Sequence, residues 1–111
     1  MLRGDVYYAN LDPSQGAETQ KTRPVLIVSN NAANRSSAVI TVLPISSNVV
    51  KIFPFEVKLP ASETGLNKDS KAMAQQVRTL DKGRLGQQAV GQLPAILMAK
   101  VDAALRLHLA L

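Results

Sequence analysis

Three polar residues of this sequence have types and positions suited to phosphate chemistry: Glu18, Arg23 and Ser46. Glu18 and Arg23 lie five residues apart in a Gly-led polar segment, and Arg23 directly precedes Pro24 and an apolar run. An Arg at such a boundary is held by a rigid strand and offers a planar pair of N–H donors to a phosphate. Each of the three also fits an ordinary role, as a surface charge, a loop residue or a turn serine. The pattern alone therefore leaves the function open.

Short strands separated by turns are the elements that would position these residues. Runs of β-branched and apolar residues predict the strands, and Asp-Pro, Gly and Asn-rich segments predict the turns. The predicted strands are 4–11, 23–29, 38–46, 52–59, 71–80 and 87–93. The second and third are expected to be antiparallel neighbours, which would bring Arg23 beside Ser46. The preceding polar loop, 12–22, would then fold Glu18 over the same place.

A closing amphipathic helix is predicted at 94–111, where Pro94 suits the first turn. Its expected apolar stripe comprises Ile96, Leu97, Val101, Ala104, Leu105, His108 and Leu109. Shorter helical turns are expected within 30–37, 60–70 and 81–86. Together these elements predict one domain of the mainly β (α+β) class, a small antiparallel barrel-like sheet with a C-terminal α-helix.

Composition narrows the class of protein. The chain has 111 residues, enough for a single core, and its 13 Lys and Arg against 8 Asp and Glu give a net charge of +5. This excess favours a polyanionic partner, either nucleic acid or an acidic protein. No cysteine is present, which excludes disulfides and thiol nucleophiles and favours a reducing, cytoplasmic setting. No apolar run approaches the roughly 20 residues of a membrane span, so no membrane association is expected.

The familiar catalytic and nucleotide-binding patterns are missing from the sequence. The single histidine, His108, falls in the predicted C-terminal helix, far from the polar loops. The carboxylates are scattered without metal-ligand spacing, and no glycine-rich phosphate loop occurs. We therefore expect no metal and no cofactor. What remains is the basic and hydroxyl chemistry of Arg23 and Ser46.

Several longer segments follow one another in the order and spacing of a known family. They are "RGDVYYANLDPSQGAE", "TRPVLIVSNNAANR", "VITVLPISSNVVKIFPFEVKL", "AQQVRTLDKGRL" and "MAKVDAALRLHLAL". Over nearly the whole chain the sequence resembles the MazF/PemK (Kid) family of toxin endoribonucleases from bacterial toxin–antitoxin systems. The resemblance implies an SH3-like, CcdB/PemK-like barrel, a homodimer and sequence-selective cleavage of single-stranded RNA. It also implies inhibition by a MazE/PemI-like antitoxin whose acidic C-terminal tail lies across the RNA site.

The family's functional residues fall on the same three positions. Its essential Arg falls on Arg23 and its loop Glu on Glu18, whereas its essential Thr is replaced here by Ser46, which keeps the hydroxyl. The PemK branch has an Asp where this chain has Gln75 and an Arg where it has Met73, so a mechanism that needs those two groups is not expected.

The resemblance implies metal-independent cleavage in which the RNA 2′-hydroxyl attacks the adjacent phosphorus. The products are a 2′,3′-cyclic phosphate and a 5′-hydroxyl. Arg23 would stabilise the developing charge, Ser46 would donate a hydrogen bond to the phosphate, and Glu18 would act as general base or would orient Arg23. Further contacts to RNA are expected from Asn10, Gln15, Lys21, Thr22, Ser47, Asn48, Lys51, Gln76 and Arg78.

Two alternatives use the same scaffold without RNA cleavage. One is a toxin that poisons DNA gyrase by protein binding, as the CcdB relatives do with a C-terminal aromatic motif. This chain ends in "RLHLAL" and contains no Trp. The other is a relative that binds RNA or an antitoxin without catalysis. Whether messenger, ribosomal or transfer RNA is the target stays open.

Overall fold

The computed structural model describes residues 1–13, 15–18 and 21–111. Seven strands and three α-helices occur in this part of the chain. In chain order they are β1 (Asp5–Asn10), β2 (Thr22–Ile27), α1 (Asn31–Ser36), β3 (Val39–Ser46), β4 (Glu56–Leu59), α2 (Ala61–Thr64), β5 (Ser70–Met73), β6 (Arg78–Asp81), β7 (Gly91–Gln92) and α3 (Ala95–Leu109). Two single 3-10 turns, Ala74–Gln76 and Lys82–Arg84, flank β6.

One curled antiparallel sheet contains all seven strands. Its order is β4-β5-β3-β2-β1-β7, and β6 pairs with β3 beside β5. The central strand β3 therefore has β2 along one edge, and along its other edge first β6 and then β5. The predicted antiparallel sheet with a C-terminal helix is confirmed.

Three predicted strands differ from the structure. The expected strand 71–80 is broken by the 3-10 turn Ala74–Gln76, because the chain leaves β3 after β5 and returns to it in β6. The expected strand 52–59 begins only at Glu56. Pro54 has no N–H to donate to a ladder, and the N–H of Glu56 closes a turn on the carbonyl of Phe53 at 2.9 Å. The last predicted strand, 87–93, is reduced to the two residues of β7.

Alternation along the strands divides the core between the two faces of the sheet. On one face, Val6 and Leu26 pack in a cluster with Val101 of α3. On the other, Tyr7 and Val25 belong to a second cluster that has no residue from α3. Because successive residues of β1 and β2 enter opposite clusters, the centre of the sheet is buried on both faces and its strand ends are firmly positioned.

The apolar stripe of α3 is narrower than predicted. Leu97, Val101 and Ala104 are buried against the sheet, but Ile96 is 75% exposed and Leu109 is 48% exposed. Ile96 directly precedes buried Leu97 and lies on the outer side of the helix, whereas Leu109 lies in the last turn. The helix therefore covers the core from Leu97 to Ala104, and its C-terminal end stays exposed.

Candidate active site

Arg23 and Ser46 come together because β2 and β3 pair antiparallel. The ladder joins Val25 to Pro44, and the same register continued by two residues places Arg23 opposite Ser46. Both residues line an open cleft of about 490 Å³. Its other lining residues are Glu18, Lys21, Ile45, Ser47, Asn48 and Met73. The structure thus brings the three residues singled out for phosphate chemistry to one place.

The hydroxyl of Ser46 is oriented by the turn that follows β3. Its Oγ accepts the backbone N–H of Asn48 at 3.1 Å, and the Asn48 carboxamide oxygen accepts the N–H of Val50 at 3.3 Å. A hydroxyl has one donor and two acceptor positions. The bond to Asn48 uses an acceptor position, so the proton of Ser46 can be donated to a group bound in the cleft.

The carboxylate of Glu18 holds its own loop and also faces the cleft. It accepts the backbone N–H of Gln15 at 2.5 Å, while the Glu18 N–H donates to the Gln15 carbonyl at 3.1 Å. Glu18 also borders a smaller hollow of about 160 Å³, which is lined in addition by Pro44, Gln75, Gln76, Val77 and Arg78. This residue therefore lies between the two hollows.

The segment before β2 is fixed through its backbone. Lys21 has a positive φ of 68° and its N–H donates to the Asp12 carboxylate at 2.9 Å. The Lys21 carbonyl accepts the N–H of Leu11 at 3.0 Å. Since these bonds use only the main chain of Lys21, its ammonium group remains a source of positive charge at the cleft. Thr22 lies next to it, paired with Asn10 of β1.

The remaining predicted RNA contacts divide into two groups. Ser47 and Asn48 line the cleft, and Gln76 and Arg78 line the smaller hollow. Arg78 also donates to the Leu11 carbonyl at 3.1 Å, which ties β6 to the start of the loop after β1. In the described part of the chain, four of the predicted contacts line neither of these two hollows: Asn10, Gln15, Thr22 and Lys51. Lys51 instead places its ammonium 4.7 Å from the ring centroid of Phe53.

A third hollow, of about 260 Å³, was not anticipated from the sequence. It shares Arg23 with the cleft, and it adds Tyr8, Asn67 and Lys68. Tyr8 is 44% exposed and borders this hollow. In the sequence, this side of the hollow was indicated only by the polar residues Asn67 and Lys68 after Gly65. Such a polar pair occurs in ordinary turns and does not indicate a site.

The second feature that the sequence did not reveal is a buried ion pair beside the cleft. Lys71 Nζ lies 3.0 Å from Glu56 Oε1, with side chains 11% and 2% exposed. Glu56 also accepts the N–H of Phe53 at 3.0 Å and the Gln75 amide at 2.7 Å. Burial raises the pKa of Glu56, but these hydrogen bonds and the charge of Lys71 outweigh burial and hold the pKa below its ordinary value.

Two features are absent from the described residues 1–13, 15–18 and 21–111. Among them, no three histidine, aspartate or glutamate side chains converge as the ligands of a metal ion would. None of their helices is long and apolar enough to cross a membrane. His108 lies far from the cleft in sequence and packs near Phe55, with ring centroids 6.1 Å apart.

Known proteins are similar to this chain in sequence and in fold. The chain is 42% identical over 114 residues to the endoribonuclease MazF9 of Mycobacterium tuberculosis, covering 98% of this chain and 96% of that protein. It is 40% identical over 110 residues to the endoribonuclease EndoA of Bacillus subtilis, covering 98% and 94%. A solved endoribonuclease in complex with its cognate antitoxin, from a mycobacterial species, has 31% identity and a TM-score of 0.83, covering 100% of this chain and 96% of that one. The model of the family described as PemK-like, MazF-like toxin of type II toxin-antitoxin system matches residues 2–109, and the chain belongs to that family.

Proposed function

We propose that the cleft holds single-stranded RNA with the scissile phosphate between Arg23 and Ser46. The chain is a toxin endoribonuclease, as its family membership and its endoribonuclease relatives indicate. The observation that supports the proposed site is that Arg23 and Ser46, at neighbouring ends of the antiparallel strands β2 and β3, line one open cleft.

The reaction that these residues suit is an internal attack within the RNA. The 2′-oxygen forms a bond to phosphorus, the bond from phosphorus to the 5′-oxygen breaks, and a 2′,3′-cyclic phosphate and a 5′-hydroxyl result. Negative charge develops on the non-bridging oxygens, where the forked donors of Arg23 and the hydroxyl of Ser46 stabilise it. One preorganised donor of this kind is typically worth a factor of about 10²–10³ in rate.

Glu18 is the proposed acceptor of the 2′-hydroxyl proton. A carboxylate has two oxygens and about four acceptor positions. The bond from Gln15 occupies one position on Oε1, so the group keeps the capacity to accept a proton while its loop stays folded. The leaving 5′-oxygen takes its proton from solvent or from the guanidinium of Arg23.

The same proposal extends to partners and location. Lys21 and Arg23 make the cleft basic, which suits both an RNA backbone and the acidic tail of an antitoxin.

A homodimer would cover apolar side chains that are exposed here, such as Val50 at 96% and Leu107 at 57%. The cytoplasm is the proposed location, because the RNA substrate is found there.

The test is cleavage of a long single-stranded RNA by the purified protein in excess EDTA, with Arg23→Ala alongside. We expect site-specific cutting by the wild type, cyclic-phosphate and 5′-hydroxyl ends, and a loss of about 10²–10³ in rate for the variant. Binding without cutting would favour a non-catalytic RNA-binding protein. Neither binding nor cutting would direct attention to a protein target such as gyrase.

A further inference from the structure

The buried pair Glu56–Lys71 is connected to two segments that border the cleft. Lys71 lies opposite Ser46 in the β3–β5 ladder, and Glu56 lies opposite Met73 in the β4–β5 ladder. Ser46 and Met73 both line the cleft. The pair therefore lies on the strands beside the proposed phosphate site and does not itself line the cleft.

The first tethered segment is the loop that follows β3. Lys71 Nζ donates to the Lys51 carbonyl at 2.9 Å, and Glu56 Oε1 accepts the Phe53 N–H at 3.0 Å. The loop is thus bound at two points, one through each member of the ion pair. Its earlier residues, Ser47 and Asn48, line the cleft.

The second tethered segment is the 3-10 turn Ala74–Gln76. Gln75 donates its amide to Glu56 Oε2 at 2.7 Å, and both Gln75 and Gln76 line the smaller hollow beside Glu18. Glu56 uses one oxygen for the loop and the other for the turn. A single carboxylate therefore links the two segments.

We infer that Glu56 and Lys71 are positioning residues for the RNA substrate, an inference that rests on the proposed function. The pair holds the loop 47–53 and the turn Ala74–Gln76 at a fixed separation, so that both meet the RNA already ordered. A buried ion pair is weak evidence for stability, since apolar residues of similar volume often replace one without loss. A buried ion pair is better supported as a means of fixing one conformation of the chain. Here the conformation that it fixes is that of the segments bordering the cleft.

The double variant Glu56→Leu/Lys71→Met separates positioning from stability. It leaves no unpaired buried charge, so the core stays folded, but it removes the partners of the Lys51 carbonyl, the Phe53 N–H and the Gln75 amide. The first two groups belong to exposed residues and can bind water instead. The matched control is Arg3→Met/Asp102→Leu, which removes an ion pair, 31% and 33% exposed, between the residue Arg3 before β1 and Asp102 of α3.

Two measurements are made on each variant. Amide hydrogen exchange of Phe53, followed by NMR, reports whether the loop is released; steady-state cleavage of RNA reports the consequence. We expect amide exchange of Phe53 to accelerate by at least about tenfold in Glu56→Leu/Lys71→Met. We expect KM to rise by about tenfold with kcat within about threefold, because the loop must now be ordered on binding. The control variant should change neither, and Lys71→Arg, which keeps a cationic donor, should retain a KM near that of the wild type.

Unchanged amide exchange of Phe53 in Glu56→Leu/Lys71→Met would overturn the inference, because the ion pair would then not hold the loop. Accelerated exchange with an unchanged KM would also overturn it, because the tether would not serve the substrate. If the wild type cuts no RNA, the proposed function fails separately. The inference is then decided by the affinity for a labelled mixed-sequence single-stranded DNA, which lacks the attacking hydroxyl: a loss of about tenfold supports it and an equal affinity overturns it.

Discussion

The Oγ of Ser46 accepts the backbone N–H of Asn48 at 3.1 Å, which directs the serine proton away from its own turn. Serine lacks the methyl group that restricts χ1 in threonine, so another constraint must select the rotamer. The bond from Asn48 supplies that constraint. A serine can therefore act here with the fixed orientation that a β-branched residue would otherwise provide.

Ser46→Ala should lower the single-turnover rate of RNA cleavage by about 10²-fold, because the phosphate loses one oriented donor. Ser46→Thr should stay within about threefold of the wild type, since it keeps the hydroxyl and the acceptor for Asn48. Single-turnover cleavage of one RNA at saturating enzyme measures both. An Ala variant as fast as the wild type would remove Ser46 from the catalytic group.

Glu18→Gln separates the two roles of this side chain. The amide oxygen of glutamine can still accept the N–H of Gln15, so the loop should keep its fold. A glutamine cannot take a proton, so kcat should fall by about 10²–10⁴ while KM changes little. A rise in KM with kcat preserved would instead assign Glu18 to holding the loop.

The stability of the fold should depend on pH through Glu56. Its pKa is held below the ordinary value of 4.5 in the folded state, so the unfolded chain binds a proton more readily. The stabilisation is therefore complete above pH 4.5 and is lost as the pH falls from there through the lower folded pKa. Urea unfolding at a series of pH values should show a steeper acid loss for the wild type than for Glu56→Gln. Parallel curves for the two proteins would contradict this assignment.

Gly91→Ala should destabilise the fold by about 1–3 kcal/mol or more, because no room exists for a side chain. A Cβ at Gly91 would lie 2.0 Å from the Thr64 carbonyl oxygen, where the start of β7 contacts the end of α2. The control is Gly86→Ala, whose Cβ would lie 3.5 Å from the Tyr8 carbonyl oxygen, an ordinary contact. Thermal or urea unfolding compares them, and equal stability of the two variants would contradict the close packing.

Sequence reasoning predicted the parts of the site that depend on local pattern. Antiparallel pairing of two apolar runs was enough to bring Arg23 beside Ser46. It could not reveal that Lys71 is buried, because a lysine in a strand usually faces water and its partner Glu56 is 15 residues away. It also missed the break at Ala74–Gln76, because periodicity reports which face a residue takes and not which strand it pairs with.

The change of partner along β3 leaves room for variation at the cleft. Between the pairs Val42–Arg78 and Ile45–Ala72, β3 advances three residues while the opposite chain advances six. The excess residues form the turn that carries Gln75 and Gln76. Because the ladders on both sides fix the register independently, this turn can change in length or composition without moving Arg23 or Ser46. On the proposed function, this turn is therefore a place where the contacts to RNA can vary while Arg23 and Ser46 keep their positions.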